Sequence, residues 1–389
     1  TATGTYYGVY TNDSNSSATI TGGKISVTNN AHNAYGIYGR QITITGTENN
    51  APTIEVTGKT AYGAYAAYGI NINGGKISAN SNTQDAYAIY ASNGSAETSF
   101  DITDGEFNAT STAGNAYGIY TGTSSSTRTI NVSGGTFIAK TEASNKVAYG
   151  IASGNTSYNI FNITGGNIYG DTYGVYHIKA DINNPVTIGN AEEPLYNGIN
   201  KDSDDNILPA KPIISGGVCG VNAGYINFYD GIVRGNDNHF CDMSQVKSTP
   251  IGTTYDYGTS DDYEHAIWLI YAENYLHVEG GDDYNSLMEA YANTPDGGTI
   301  TVIKDFTTDE LLPTFEKNIT FNLNDHSLTY SQPIVNNAIF TITGGENGNG
   351  TLKSANSSVP TIRNTAVKNA ANATVNIKSG TIIGSCGAI

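Results

Sequence analysis

Along the first half of the chain, apolar residues fall at every second position in short runs that glycine turns interrupt. Five runs share one grammar: ITGGKISV from Ile20, INGGKISA from Ile72, ITDGEFNA from Ile102, VSGGTFIA from Val132 and ITGGNIYG from Ile163. Each has an apolar residue two before the G-G or D-G pair and another two after it. A period of two predicts a strand, and the glycine pair predicts a turn whose second residue needs positive φ. Aligned, the runs give one inward column of Ile25, Ile77, Phe107, Phe137 and Ile168, and a second of Val27, Ala79, Ala109, Ala139 and Gly170. Lys24, Lys76, Glu106, Thr136 and Asn167 fall between these and point outward.

A second signature, Y-G-x-Y, follows the second glycine of the pair at a nearly fixed offset. The offset is twelve residues for Gly23 to Tyr35, Gly75 to Tyr87 and Gly105 to Tyr117, fourteen for Gly135 to Tyr149, and seven for Gly166 to Tyr173. Successive Y-G-x-Y runs lie 24 to 32 residues apart. A period of that size marks a supersecondary unit stacked on its neighbours. Three short strands per period, with no helical periodicity, predict an all-β parallel β-helix, a solenoid whose strands each pair with their equivalents one turn away. Stacking places Val9, Ile37, Ala64, Ile89, Ile119, Ile151 and Val175 in one core column. The residue before each of these, nearly always glycine, is expected to face outward. So are the closing tyrosines Tyr10, Tyr38, Tyr65, Tyr90, Tyr120 and Tyr176, with Ala152 standing in for one. For the first tyrosine of each run two outcomes stay open. Strict alternation turns it inward beside the core column; a kink at the glycine turns both tyrosines to solvent.

The repeats divide the chain into three segments. Residues 1–178 form the tyrosine- and glycine-rich array, in which Arg40–Tyr65 is a degenerate copy without its G-G pair. Residues 179–274 continue it irregularly, with longer loops such as KDSDDNILPAKP and with strand–glycine signals at IISGGVCGV and INFYDGIVRG. The run AIWLIY reads as a core strand near a junction. At Ser286 a short helix is predicted over residues 286–292, opened by a Ser286–Glu289 capping box. It begins a third segment, 275–389, of closely spaced strands.

The order SLMEAYANTPDGGTITVIKDF, KNITFNLNDHSLTY, FTITGGENGNGTLKSA and ATVNIKSGTIIG resembles the pectate-lyase-like right-handed β-helix of large surface proteins from gut and Gram-positive bacteria. The resemblance covers residues 275–389 well and the earlier array more loosely. It implies a right-handed solenoid, a helix capping the first turn, an adhesin-like role and a place on the bacterial cell surface. It implies no reaction.

Composition narrows the partners. The net charge of −17 disfavours a nucleic-acid backbone or an anionic membrane, and no apolar run approaches the length of a membrane span. The chain has no signal peptide, opens inside a repeat and ends soon after a strand. The expectation is a segment of a longer extracellular protein with further domains beyond both ends. Cys219 and Cys241 stand 22 residues apart, near one period, so either a disulfide across neighbouring strands or two buried thiols fits; Cys386 is left over.

Candidate chemistry is sparse. Four scattered arginines and the pairs Asp204/Asp205, Asp261/Asp262 and Asp282/Asp283 lack the basic partners of polysaccharide-cleaving sites. Asp202, Asp204 and Asn206 have the spacing of oxygen ligands in a calcium loop, although Ile207 stands where glycine is expected. His239, Cys241 and Asp242 are too few for zinc. Outward Thr19, Thr21, Thr43 and Thr45 give way to Asn71, Asp101 and Asn162 in other copies, against an ice-binding face. The tyrosine ladder is the best binding candidate. Aromatic faces pack on the C–H faces of sugars, and the hydroxyls add hydrogen bonds. The expectation is therefore a non-catalytic adhesin-like segment that binds a neutral polysaccharide or host-surface glycan through Tyr10, Tyr38, Tyr65, Tyr90, Tyr120 and Tyr176, without a cofactor other than a candidate calcium. A β-helix polysaccharide lyase or glycoside hydrolase and a passive spacer are the alternatives.

Overall fold

A computed structural model describes the chain except residues 1, 5, 12, 14–15, 48–49, 93–97, 123–126, 155–158, 191–210, 251–252, 261–262, 272–273, 309, 311–313, 357–359, 365–372 and 385–389. The described residues are mostly β-strand, largely in parallel pairings, with one α-helix. They form two compact units, Thr1–Ile270 and Tyr271–Ile389. Tyrosine-rich and irregular segments thus share the first unit.

In the first unit three parallel ladders are visited in a fixed order. The strand Ala61–Ser81 passes through all three. Its Ala61–Ala66 stretch pairs with Ala34–Gly39 on one side and Ala86–Ala91 on the other. Its Gly69–Ile72 stretch pairs with Gln41–Ile44, and its Lys76–Ser81 stretch lies between Thr53–Gly58 and Glu106–Ser111. The tyrosine ladder runs on through Ala116–Thr121, Ala148–Ser153, Tyr173–His177, Cys219–Ala223 and Asn238–Phe240, so it crosses residue 178 without a break. The third ladder, here the isoleucine ladder because it carries Ile25 and Ile77, ends differently: Val233–Gly235 pairs antiparallel with His265–Ile267, of which Ala266 and Ile267 open the run AIWLIY.

The inward columns read from the sequence are buried. Ile25, Ile77, Phe107, Phe137 and Ile168 are at most 6% exposed, and Ile37, Ala64, Ile89, Ile119, Ile151 and Val175 are fully covered. Burying an Ile or Phe side chain contributes about 1.5–3 kcal/mol, so repetition down a column supplies the driving force that no single layer has. The turn glycines take the expected conformation, as Gly23 (φ 80°) and Gly135 (φ 88°) show.

The glycine of Y-G-x-Y corrects an expectation. It faces inward, not outward. A Cβ on Gly36 would lie 2.5 Å from Ile54 Cγ2 and 2.5 Å from the Gly63 carbonyl oxygen. Gly36 does not take positive φ, so the demand there is for space where the tyrosine and isoleucine ladders approach. Ala88, wholly buried at the equivalent position, marks the limit at one methyl. Two consecutive residues, Gly36 and Ile37, therefore turn inward, and Tyr35 and Tyr38 on either side of them lie on the outer surface. The same strain on alternation recurs in each layer.

The second unit has its own core and three short ladders. One joins Thr299–Val302, Ile319–Asn322, Ile339–Thr343 and Thr374–Ile377; another joins Phe306–Thr308, Ser327–Tyr330, Thr351–Ser354 and Thr381–Ile383. The third joins Thr314–Phe315, Ile334–Asn336 and Ile362–Asn364. The helix Leu287–Asn293 buries Leu287, Ala290 and Tyr291, and Tyr291 stacks on Phe315 at 4.8 Å. Ser286 caps it by accepting the Glu289 N–H at 3.2 Å. The Glu310 carboxylate accepts from Leu287 N, Met288 N and the Ser286 hydroxyl. At the other end Lys317 Nζ donates to the carbonyls of Tyr291, Ala292 and Thr294. A carboxylate at the N-terminus and an ammonium at the C-terminus both complement the helix dipole. Glu310 and Lys317 are distant in sequence and could not be read as caps from the capping box.

Candidate functional site: a two-column tyrosine face

Because the alternation breaks at the glycine, every Y-G-x-Y strand presents two outward rings. The first column holds Tyr7, Tyr35, Tyr62, Tyr87, Tyr117, Tyr149 and Tyr173; the second holds Tyr10, Tyr38, Tyr65, Tyr90, Tyr120 and Tyr176, the residues expected on the surface. Rings stack face to face along each column. Tyr35–Tyr62 and Tyr38–Tyr65 both have centroids 4.7 Å apart, with planes 3° and 11° from parallel. Across the columns the rings stand edge to face, as in Tyr35–Tyr38 at 5.5 Å and 82°. Both geometries suit the ring quadrupole, and each pair adds roughly 0.5–1.5 kcal/mol beyond burial.

Ala152 interrupts the second column. With no ring there, Tyr149 turns 72° from Tyr117 and stacks instead on Tyr176, centroids 4.6 Å apart. Ala152 is fully covered as a result.

Exposure varies along the face. Tyr10 is 52% exposed and Tyr7 40%, whereas Tyr87 and Tyr117 are only 9% and 8% exposed. Tyr38, Tyr65, Tyr90, Tyr120 and Tyr176 are half-buried. Stacking uses up the ring faces, so what reaches solvent along most of the strip is ring edge and hydroxyl. Burial, reinforced by the neighbouring phenols, pushes the Tyr90 hydroxyl up to about 12 and raises Tyr62, Tyr117 and Tyr149 further. These four phenols are thus donors at every physiological pH. Tyr65 gives its hydrogen to Ser92 Oγ at 2.9 Å, and Tyr87 to Asp85 Oδ2 at 3.0 Å.

Next to this face the outer positions of the second ladder carry an amide chain. Asn162 Nδ2 donates to Asn131 Oδ1 at 2.9 Å, and Asn131 Nδ2 to Asp101 Oδ1 at 2.7 Å. On the isoleucine ladder Lys24–Glu55 and Lys76–Glu106 form exposed pairs at 2.7 and 2.8 Å.

Behind the tyrosines lies a polar cluster that the sequence pattern did not disclose. Asn159 Nδ2 donates to Thr121 Oγ1 at 2.8 Å and Ser153 Oγ at 2.9 Å, and His177 Nε2 pairs with the Asn159 carbonyl at 2.8 Å. His177 is 1% exposed and packs on Phe161. Burial holds its pKa below the ordinary histidine value. The folded pKa lies below the unfolded one, so the unfolded chain takes the proton first. Stability is present above about pH 6.5 and is lost as the pH falls below it, by up to about 1.4 kcal/mol per pH unit. The expected result is a fall in the urea midpoint of the first unit between about pH 6.5 and 5.5, absent in His177→Leu. An unchanged slope in the variant overturns it.

The other candidates disperse. Asp202, Asp204 and Asn206 lie outside the described residues, as do Asp205, Asp261, Asp262 and Cys386. Cys219 and Cys241 form a disulfide, so Cys241 is not a thiol partner for His239 and Asp242. Asp283 pairs with His277 Nδ1 at 2.7 Å across an exposed antiparallel strand pair, next to Asp282. Among the described residues no three His, Cys, Asp or Glu side chains are grouped to hold a metal ion. In the second unit a surface pocket is lined by Tyr275, Asp305, Phe306, Thr307, Ser327 and Thr329, where Asp305 already accepts from Ser327 N and pairs with His326. No helix among the described residues is long and apolar enough to cross a membrane. No protein-family model, curated protein or solved structure matches the chain.

The first tyrosine column was half legible. The signal lay in its partner position, where Gly8, Gly36, Gly63, Gly118, Gly150 and Gly174 admit only Ala88 as an exception. Small size at every copy indicates a crowded inward site, and an inward glycine forces the flanking tyrosines out.

Proposed function

We propose that this chain is a non-catalytic, adhesin-like segment of an extracellular bacterial surface protein. Its ladders are the stacked turns of a right-handed parallel β-helix, and its tyrosine face is the binding strip for an extended neutral glycan. The single observation that carries the reading is the double column of phenols on one outer surface, interrupted in its second column at Ala152. Its rings repeat about every 4.7–5.0 Å through the centre of the array. The visiting of three parallel ladders in fixed order supports the solenoid, as does the resemblance of residues 275–389. The stacking changes the binding mode expected from sequence. Sugars would meet hydroxyls and ring edges along the strip. Each contact is weak, and retention comes from their repetition.

The occupied ring faces favour a second reading, a passive spacer in which the tyrosines only hold the layers together. Replacing Tyr38, Tyr65 and Tyr90 together with Phe keeps the stacks and removes three hydroxyls. On a panel of immobilised neutral polysaccharides the parent chain is expected to be retained. The triple Phe variant should bind roughly tenfold or more weakly, as three lost hydrogen bonds of about 0.5–1.5 kcal/mol imply. Equal retention of parent and variant removes the hydroxyl strip from the mechanism. No retention of the parent leaves the spacer.

A further inference from the structure

The first tyrosine column also has the geometry of an oxidative cross-linking site, independent of any glycan. Tyr35, Tyr62, Tyr87 and Tyr117 stack with centroids 4.7, 5.0 and 4.9 Å apart and planes 3°, 6° and 5° from parallel. At the centre of this run the Tyr87 hydroxyl donates to Asp85 Oδ2 at 3.0 Å. Asp85 is held in place from its other oxygen, which accepts Asn115 N–H at 2.8 Å. Losing an electron makes a phenol strongly acidic, so oxidation is easiest where a base stands ready for the proton. Tyr87 has that base, and its ring lies between the rings of Tyr62 and Tyr117, so an electron removed from a neighbouring ring can be replaced along the stack.

We infer that this column is a site for covalent dityrosine formation between neighbouring layers, driven by hydrogen peroxide and a haem peroxidase. Two phenols each lose one electron and one proton; at Tyr87 the proton passes to Asp85. The two ring radicals join through a carbon–carbon bond between ortho positions, and the hydrogens displaced from those carbons return to the phenol oxygens as each ring regains aromaticity. Peroxide accepts the two electrons and two protons and leaves as two waters. Partners are set by the fold: Tyr62 to Tyr87 and Tyr87 to Tyr117 are 25 and 30 residues apart in sequence, yet face each other. Each bond would tie one strand layer to the next.

The test treats the dilute intact chain with hydrogen peroxide and a haem peroxidase, then reads dityrosine fluorescence, intact mass and cross-linked peptides. Expected are monomers that have lost two hydrogens per link, with links between tyrosines one layer apart and Tyr87 prominent among them. Asp85→Asn should lower the yield of Tyr87 links by roughly tenfold or more, the scale of a lost proton acceptor, while circular dichroism is unchanged. Tyr62→Phe with Tyr117→Phe should remove the Tyr62–Tyr87 and Tyr87–Tyr117 links, leaving at most links from Tyr87 to Tyr90 and Tyr120 of the second column. Links mainly between separate chains, links spread equally over Tyr225, Tyr275 and Tyr291, or the same pattern from chain unfolded in urea would each overturn the proposal. So would an Asp85→Asn yield equal to the parent's.

Discussion

Asp230→Ala lowers the stability of the first unit by about 3–5 kcal/mol, the usual consequence of removing one partner from a buried ion pair. Lys211 Nζ and Asp230 Oδ2 lie 2.9 Å apart with side chains 3% and 0% exposed. Asp230 Oδ1 accepts the Gly231 N–H at 2.7 Å, which fixes the turn before the strand Ile232–Gly235. The alanine variant strands an ammonium in a low-dielectric interior and frees that turn. Because Asp230 and Lys211 adjoin one strand pair, Ile213–Gly216 with Ile232–Gly235, the damage should be local. Hydrogen exchange should rise first in Ile213–Gly216 and Ile232–Gly235, which pair directly, and the urea midpoint should fall. Replacing both partners, as Lys211→Met with Asp230→Leu, should recover most of the loss, since no charge is then left buried. A change in Asp230→Ala within about 0.5 kcal/mol, the range of an ordinary surface substitution, would show that the pair is not held as described.

Phe137→Ala should cost a similar amount, about 3–5 kcal/mol, by another route. Phe137 is wholly buried and stacks on Phe107 at 4.6 Å, and the Phe107 ring closes against the turn glycines Gly105 and Gly135. Truncation removes a large apolar surface and leaves a void that strands on both sides cannot close, because their ladder pairings fix the layer spacing. Phe137→Ile should cost less than half as much, since Ile25, Ile77 and Ile168 fill the same column elsewhere. Urea unfolding followed by far-ultraviolet circular dichroism ranks the two. If alanine and isoleucine cost the same, the column is not the close-packed core on which the fold depends.

The two cases differ in how far the sequence announces them. Phe137 belongs to a column visible in five aligned copies, and its burial follows from alternation alone. Nothing in KPIISGG or FYDGIVRG says that Lys211 and Asp230 meet; the two are brought together by the side-by-side pairing of Ile213–Gly216 with Ile232–Gly235. The buried Asn159 and His177 belong to the same class. A lone polar residue carries no period, so no pattern assigns it a side.

The tyrosine face shows the division most directly. Sequence periodicity fixed which residues share a column, because pairing in parallel register stacks like on like. It also settled the turn glycines and the Ser286 cap, which depend on local backbone geometry. It left the orientation of Tyr35 and its equivalents open and put Gly36 on the wrong side. Alternation is a property of one strand, whereas the position of Gly36 is set by Ile54 on another ladder, 2.5 Å from where its Cβ would be. That approach distance exists only once the ladders are assembled. The sequence by itself determined the columns; the tertiary structure alone decided which way the residues between them face, because only packing between ladders makes one side too crowded for anything but glycine.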